Sequence, residues 1–377
     1  MKIAPIAREF ARVPEVFSST MVHTGQHYDA EMSAVFFEEL GIPSPDINLQ
    51  VGSGSHAEQT AAVMTGFEKV LLKTHPDLVL VVGDVNSTLA CALVAAKLGV
   101  PVAHVEAGLR SFDRSMPEEI NRVLTDQISD WLFVTEPAAE ANLIREGIDP
   151  ARVHFVGNVM IDTLLACRDR ARRLKVPSAL GLGNCPYAVL TLHRPGNVDQ
   201  RDVFEEIMRA LEHISRDLVI VFPMHPRTRQ TLLGSQGAAA LLDSGRLRLV
   251  KPLGYLEFLG LLDQSRAVLT DSGGVQEETT VLGVPCLTLR PNTERLITVS
   301  EGTNRVVGTS ARRIIEAWEE VKTSAPSGRR PRLWDGLAAG RIVDVLRRQF
   351  GREALPYGFD PSPGIAARRC LAQQNAL

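Results

Sequence analysis

The chain of 377 residues has no excess of basic residues: 41 Lys and Arg stand against 44 Asp and Glu, a formal charge of −3 at pH 7. Tight binding to a phosphate backbone needs such an excess, so nucleic acid is not expected as a partner. Cysteine is sparse. Cys91, Cys167, Cys185, Cys286 and Cys370 are scattered, odd in number and form no CxxC pair, which argues against zinc or dithiol chemistry and fits a reducing, cytoplasmic setting. Long apolar runs are also missing. The strongest stretch, Leu78 to Val82, meets Gly83 and Asp84 far short of the roughly 20 residues a membrane helix needs. The N-terminal MKIAPIAREFARVPE carries charge early and lacks a signal-peptide apolar centre, so neither a membrane nor secretion is expected. No GxxxxGK[ST], HExxH or paired His/Cys spacing occurs, which removes the P-loop NTPases and gives no reason to expect a metal.

What is present is a 45% hydrophobic chain, long enough for two ordinary domains and rich enough to bury their cores. Short β-branched runs alternate with polar loops and amphipathic stretches, the rhythm of parallel strands joined by crossover helices. DLVLVVGD (77–84), PVAHVEAG (101–108), DWLFVTE (130–136) and RVHFVGN (152–158) read as strands of a first half. YAVLTLHR (187–194), LVIVFPMHP (218–226), RLRLVKP (246–252), RAVLTDSGG (266–274) and VPCLTLRP (284–291) read as strands of a second. Gly99 and Gly147 end helical stretches where a left-handed cap is expected. The predicted organisation is a first doubly wound α/β domain over 1–171, a Pro- and Gly-containing linker at 172–186, a second such domain over 187–334, a helix at 335–350 and a loose tail at 351–377.

Ligands of doubly wound sheets bind beyond the carboxyl ends of strands, so Asp84, Glu106, His193, His225 and Ser272, each placed at a strand end, are candidate functional residues. TDSGGVQEE (270–278) leaves a strand through a Gly-Gly turn into a helix whose N-terminal N–H groups suit a phosphate, with Ser272 adding a hydroxyl. The same segment also reads as a simple cap with favourably placed Glu277 and Glu278. Gly52–Ala57 has dinucleotide-loop spacing, yet a poor strand precedes it and no acidic residue follows at the required place, so it reads as a loop. HVEAGLRSFDRSMPEEINRVLTD (104–126) is densest in charge. Pro117 opens its helix, and Glu118 and Glu119 both lie within reach of Arg122, as surface ion pairs or as part of an acid/base cluster with Glu106. His193 and Arg194 end one strand, and His225, Arg227 and Arg229 repeat the theme.

Taken in order, GDVNSTLA, HVEAGLRS, PEEINRVLTD, TLHRPGNVD, FPMHPRTR, LTDSGGVQEE and RPNTERLITVSEGTN resemble the non-hydrolysing UDP-N-acetylglucosamine 2-epimerases over nearly the whole chain. The resemblance implies two Rossmann-like domains facing a cleft in the glycosyltransferase-B architecture, a homodimer, a C-terminal helix packed on the first domain, and a UDP-sugar as partner. It further implies reversible epimerisation between UDP-GlcNAc and UDP-ManNAc through 2-acetamidoglucal, without a cofactor or metal. By motif position Asp84, Glu106, Glu118 and His193 match the catalytic residues. Ser272, Gly273 and Gly274 match the phosphate loop, Glu278 the ribose contact and Arg295 the pyrophosphate or uridine contact, with Lys2, Arg122 and His225 in the surrounding shell.

The chain also departs from the pattern. It starts at Met1-Lys2-Ile3-Ala4-Pro5, already past the first strand and its arginine loop, so the first domain is expected to lack its first strand and turnover of the chain as written is expected to be poor. Gly196 stands where the family motif carries Glu, and Leu296 where many members have Pro. SHAEQTAAVM lacks the arginine of an activating second substrate site. The alternatives are a hydrolysing relative that releases UDP and ManNAc, and a glycosyltransferase-B enzyme or inactive sugar-nucleotide binder.

Overall fold

The computed structural model describes residues 1–25, 37–183, 185–224, 228, 232, 234–323 and 328–350. His225, Arg227 and Arg229 lie outside them, as does the expected tail at 351–377. The strands are β1 (Val22–His23), β2 (Ile47–Asn48), β3 (Val79–Val82), β4 (Val102–Ala107), β5 (Trp131–Val134), β6 (Val153–Phe155), β7 (Tyr187–Thr191), β8 (Val219–Pro223), β9 (Leu247–Val250), β10 (Ala267–Thr270), β11 (Cys286–Thr288) and β12 (Asn304–Val306). Every ladder is parallel. That accounts for the near-continuous apolar runs, because helices cover both faces of such sheets.

In the second half, β12-β11-β10-β7-β8-β9 form one six-stranded sheet. β7 and β10 are neighbours, and the chain winds away from them in opposite directions. The crevice beyond their carboxyl ends is therefore the topological switch point where doubly wound sheets bind ligands. Helices Arg201–Ile214 and Ala311–Thr323 cover one face through Phe204, Ile207, Leu211, Ile314 and Trp318. Helix Tyr255–Asp263 covers the other with Leu261 and Leu262 against Val189, Val221 and Val268.

In the first half, β3-β4-β5-β6 form a four-stranded sheet, while β1 and β2 pair only with each other among the described residues. The alternation of β4 divides its neighbours. Ala103 and Val105 pack under helices Ile3–Phe10 and Ala338–Phe350, and Val102 packs toward helices His56–Thr74 and Asn86–Lys97. The last helix is anchored at its start, where Asp162 accepts the amides of Ala338 and Ala339 at 3.1 and 2.7 Å and satisfies two otherwise orphan donors. Ser55 and Glu58 close a capping box on helix His56–Thr74, so the glycine-containing loop before it serves as a helix start. Gly99 and Gly147 take the left-handed φ of +72° and +85° expected after their helices.

Helix Val159–Arg173 ties the two layered units together: Ile161, Leu164, Cys167 and Ala171 pack against Tyr255, Leu256 and Leu259. It runs into the 172–186 segment, which then forms the short helix Val176–Ala179. Among the described residues no helix is long and apolar enough to cross a membrane.

Candidate active site

The geometry of β4 sets the site. Its pairing with β5 slips between Val105 and Ala107, so Glu106 is the extra residue of a bulge and takes φ +74°. A side chain in that left-handed region raises the energy by about 1 kcal/mol or more, and such outliers cluster at functional sites. The Glu106 carboxylate is 3% exposed. It lies 2.7 Å from Lys2 Nζ and 2.5 Å from Arg295 Nη2, the second cation reaching over from the other half of the chain. Burial alone would push its pKa up, but Arg295 and then Lys2 overcome that and hold it well below the usual carboxylate range.

Arg295 is the hub. Burial opposes its charge, yet Glu106, Glu277, Glu294 and Asp84 together hold the guanidinium firmly protonated. Its Nε is 3.2 Å from Glu277 Oε1, which also accepts from Asn158 Nδ2 at 2.9 Å. Arg290 pairs with Glu294 at 2.9 Å. Among the described residues, Nη1 of both Arg290 and Arg295 is buried without a hydrogen-bond partner, and Arg295 Nε meets Glu277 as an ion pair without hydrogen-bond geometry. The surrounding carboxylates divide by environment. Glu294 is held down by Arg295 and Arg290 against the effect of burial, whereas burial pushes Glu277 upward and carries Glu136 to about 8. Carboxylates driven apart in this way are able to serve as base and acid in one site.

Asp84, following β3, is bound by Arg122 at 2.6 Å, and Asn121 donates to its carbonyl at 2.9 Å. Arg122 projects from helix Pro117–Ile128, opened by Pro117 at its first position. Of the two carboxylates within its reach in sequence, the structure selects Glu119. Glu119 is buried and also accepts from the amides of Ser111 and Phe112, both at 2.9 Å. Glu118 is half-buried and has no side-chain partner among the described residues.

At the switch point of the second sheet, His193 follows β7 and Asp271 follows β10. His193 Nδ1 is 2.7 Å from Asp271 Oδ1, and 58% of the imidazole side chain is accessible while the aspartate is fully buried. Asp271 also accepts from the amides of His193 and Arg194, each at 3.0 Å. Burial pushes the aspartate up, but the hydrogen bond and charge of His193, then these amides, bring it below its ordinary value. The carboxylate thus orients the ring and leaves Nε2 toward solvent, the base-and-orienter arrangement of acid/base catalysis.

Next to it, Ser272 stands at the N-cap of helix Gly273–Leu282, yet its side chain makes no capping hydrogen bond. The simple cap reading therefore fails, and the hydroxyl and first-turn amides are left for a ligand. A Cβ on Gly273 would sit 2.6 Å from Glu294 Oε1 and 3.6 Å from Arg295 Nε, so the turn abuts the arginine cluster. Gly274 is closed in by Met160 Cε in the same way, at 3.1 Å. Glu278, by contrast, is buried, accepts from Tyr255 Oη at 3.0 Å and is pushed up to about 7 by burial.

The structure thus joins Lys2, Glu106 and Arg295 directly, with Asp84 and Arg122 beside them and Gly273 against Arg295. It bonds His193 within its own half and places Glu118 outside the ion-pair network. His225 is not among the described residues. Sequence reasoning missed Asp271, Glu136 and Asn158. Each immediately follows or lies within three residues of a strand end, so the rule that found Asp84 and His193 reaches them when applied to every strand.

Two parallel α/β units, the second doubly wound and the first winding in one direction from β3 to β6 among the described residues, with a helix-N-terminal turn and clustered cations meeting strand-end carboxylates, define a glycosyltransferase-B-type α/β protein. The model of the UDP-N-acetylglucosamine 2-epimerase family matches residues 10–347. The UDP-N-acetylglucosamine 2-epimerase of Methanocaldococcus jannaschii is 44% identical, with 92% of this chain and 95% of the relative covered. Its crystal structure in complex with UDP-GlcNAc and UDP superimposes with a TM-score of 0.81, at 43% identity and covering 92% of this chain and 96% of the other. The Neisseria meningitidis UDP-GlcNAc 2-epimerase bound to UDP-GlcNAc gives 0.83 at 30% identity, over 92% and 96% of the two chains. The UDP-2,3-diacetamido-2,3-dideoxy-D-glucuronate 2-epimerase of Pseudomonas aeruginosa is 45% identical over 89% of this chain and 92% of its own. The chain belongs to the UDP-N-acetylglucosamine 2-epimerase family.

Proposed function

We propose that the protein interconverts UDP-GlcNAc and UDP-ManNAc without hydrolysis. A base removes the proton at C2 while the C1–O bond breaks and UDP leaves with the bonding electron pair, giving 2-acetamidoglucal. UDP then re-adds at C1, and an acid delivers a proton to the opposite face of C2. Atoms balance with no redox partner, and the reaction draws on a base, an acid and a grip on the departing diphosphate.

The observation that carries this reading is the buried Glu106, bulged out of β4 and shared between Lys2 and Arg295. An arriving diphosphate competes with Glu106 for those two cations. As they shift to the phosphates, the carboxylate loses the charges that depress its pKa and becomes a stronger base at the moment the leaving group is gripped. Asp84, Glu118 and His193 are assigned to the same acid/base set. The Ser272–Gly274 turn and Arg295 are assigned to the diphosphate, Glu278 to the ribose, and Lys2, Arg122 and His225 to the shell around them. We place the division between sugar-side and nucleotide-side domains at 172–186, with the cleft between them, and expect a homodimer.

Incubation with UDP-GlcNAc and separation of products tests the assignment. A mixture of UDP-GlcNAc and UDP-ManNAc is expected. Free ManNAc with UDP would indicate a hydrolase, and binding without turnover would indicate a sugar-nucleotide binder. A second substrate is supported by the Pseudomonas relative, as similar to this chain as the Methanocaldococcus enzyme, and by the unpartnered buried Nη1 atoms of Arg290 and Arg295, donors suited to a sugar carboxylate. The ratio of kcat/KM for UDP-2,3-diacetamido-2,3-dideoxy-D-glucuronate and UDP-GlcNAc separates the two.

A further inference from the structure

Behind Glu106 and Asp84 lies a polar group that the reaction above does not use. His104, on β4, is fully buried, as is Asp126 on helix Pro117–Ile128. His104 Nδ1 is 2.7 Å from Asp126 Oδ1, and its Nε2 is 2.8 Å from the carbonyl of Gly83, the residue before Asp84. The other oxygen, Asp126 Oδ2, accepts the amide of Gly108, two residues after Glu106, at 3.1 Å, and sits 2.7 Å from Arg110 Nη2. Arg110 in turn donates to both oxygens of Glu146, at 2.8 and 2.6 Å.

One imidazole and one carboxylate therefore tie together the two turns that carry the candidate catalytic carboxylates. Both turns need the tie. Gly83 and Gly108 each take φ +77°, and Glu106 between them holds the left-handed bulge conformation. A bulge of this kind persists only where its surroundings over-determine it. The backbone contributes as well, the Gly83 amide donating to the carbonyl of Val105 at 3.0 Å. Beside the link from Asp84 through Arg122 and Glu119 to the amides of Ser111 and Phe112, the His104–Asp126 bridge is a second side-chain connection between the end of β3 and the end of β4, and it is the one that reaches the Gly83 and Gly108 turns themselves.

We propose that His104 and Asp126 are positioning residues that fix the separation and aim of Asp84 and Glu106, acting on turnover without touching substrate. This rests on the reading of Asp84 and Glu106 as catalytic.

The test uses the full chain and follows conversion of UDP-GlcNAc, together with UDP binding by calorimetry and thermal unfolding. H104N keeps a donor toward Asp126 but loses the one toward Gly83. H104Q places its amide nitrogen where Nε2 stood and keeps the Gly83 bond. Expected is a loss of kcat in H104N on the order of 10²-fold, with KM and UDP affinity within about twofold of wild type, and a markedly smaller loss in H104Q, because misplacement by about 1 Å can cost that much in rate. Wild-type kcat in H104N, or losses that track the unfolded fraction equally in both variants, would overturn the proposal. Should H104N fail to fold, D126N carries the same expectation and the same contradiction. D84N and E106Q run alongside. If they stay active, the catalytic reading falls and this inference with it; if they are inactive while folded H104N keeps full kcat, this inference alone falls.

Discussion

Single side chains in this site are held by specific opposing forces, and each opposition predicts a measurable change. Asp271 orients His193 through one short hydrogen bond from a buried position. D271N is expected to lower kcat by roughly 10²-fold or more with little change in KM, since the ring loses its orienting charge; an unchanged kcat would remove His193 from the acid/base set. Glu136 shows the linkage of burial to stability. Its folded pKa is raised to about 8 by burial, so the folded state binds a proton that the unfolded chain releases near its ordinary carboxylate value. Its contribution is full below that ordinary value and is lost as pH rises toward 8. E136Q, which keeps the amide bond from Ile297 possible, is therefore expected to flatten the fall in stability between pH 5 and 8 and to raise the melting temperature at pH 8, by about 1–3 kcal/mol in stability. Calorimetric melts at the two pH values check it, and a parallel decline in both proteins would contradict it. At this scale the sequence was informative about residue type and less so about partners. Asp84, Glu106 and His193 were legible from their places after strands. The choice of Glu119 over Glu118 was not, because it depends on the Ser111 and Phe112 amides that fold back over the helix start.

Elements were legible where burial makes the apolar run long. β3 to β11 follow from β-branched stretches bounded by Gly, Asp and Pro, and Gly99 and Gly147 stop their helices as expected. The two-residue β1 and β2 carry too few positions to register as pattern, and the three-residue β12, Asn304–Val306, has a single apolar residue where the equally short β6 and β11 lie in longer apolar runs. The bulge at Glu106 was invisible as well, since nothing in VAHVEAG marks a slipped register. Gly157 shows how tightly an element junction is built. It takes φ +91°, and a Cβ there would overlap the carbonyl of Leu333, next to the buried Trp334 whose indole donates to Thr135 at 2.9 Å. G157A is thus expected to destabilise the protein by more than about 2 kcal/mol, combining backbone strain with steric overlap. Chemical denaturation measures it, and a loss below about 0.5 kcal/mol would show that this junction adjusts freely.

For the whole molecule, the two-unit architecture was legible because the βα rhythm restarts after the 172–186 segment. What sequence periodicity could not supply is the contact between units: Arg295 on Glu106, Asn158 on Glu277, and helix Val159–Arg173 packed on Tyr255 and Leu259. These contacts join residues far apart in the chain, and they are what bring a carboxylate of one unit under a cation of the other. The account depends on that meeting producing proton exchange at C2 of the sugar. The most direct measurement is the conversion of UDP-GlcNAc in deuterium oxide, with the product hexose read by NMR for wild type and E106Q. One deuterium at C2 of UDP-ManNAc is expected from the wild type, together with a loss of turnover on the order of 10²–10⁴ in a folded E106Q protein. Product that retains its original hydrogen at C2, or exchange that continues at the wild-type rate in E106Q, would contradict it.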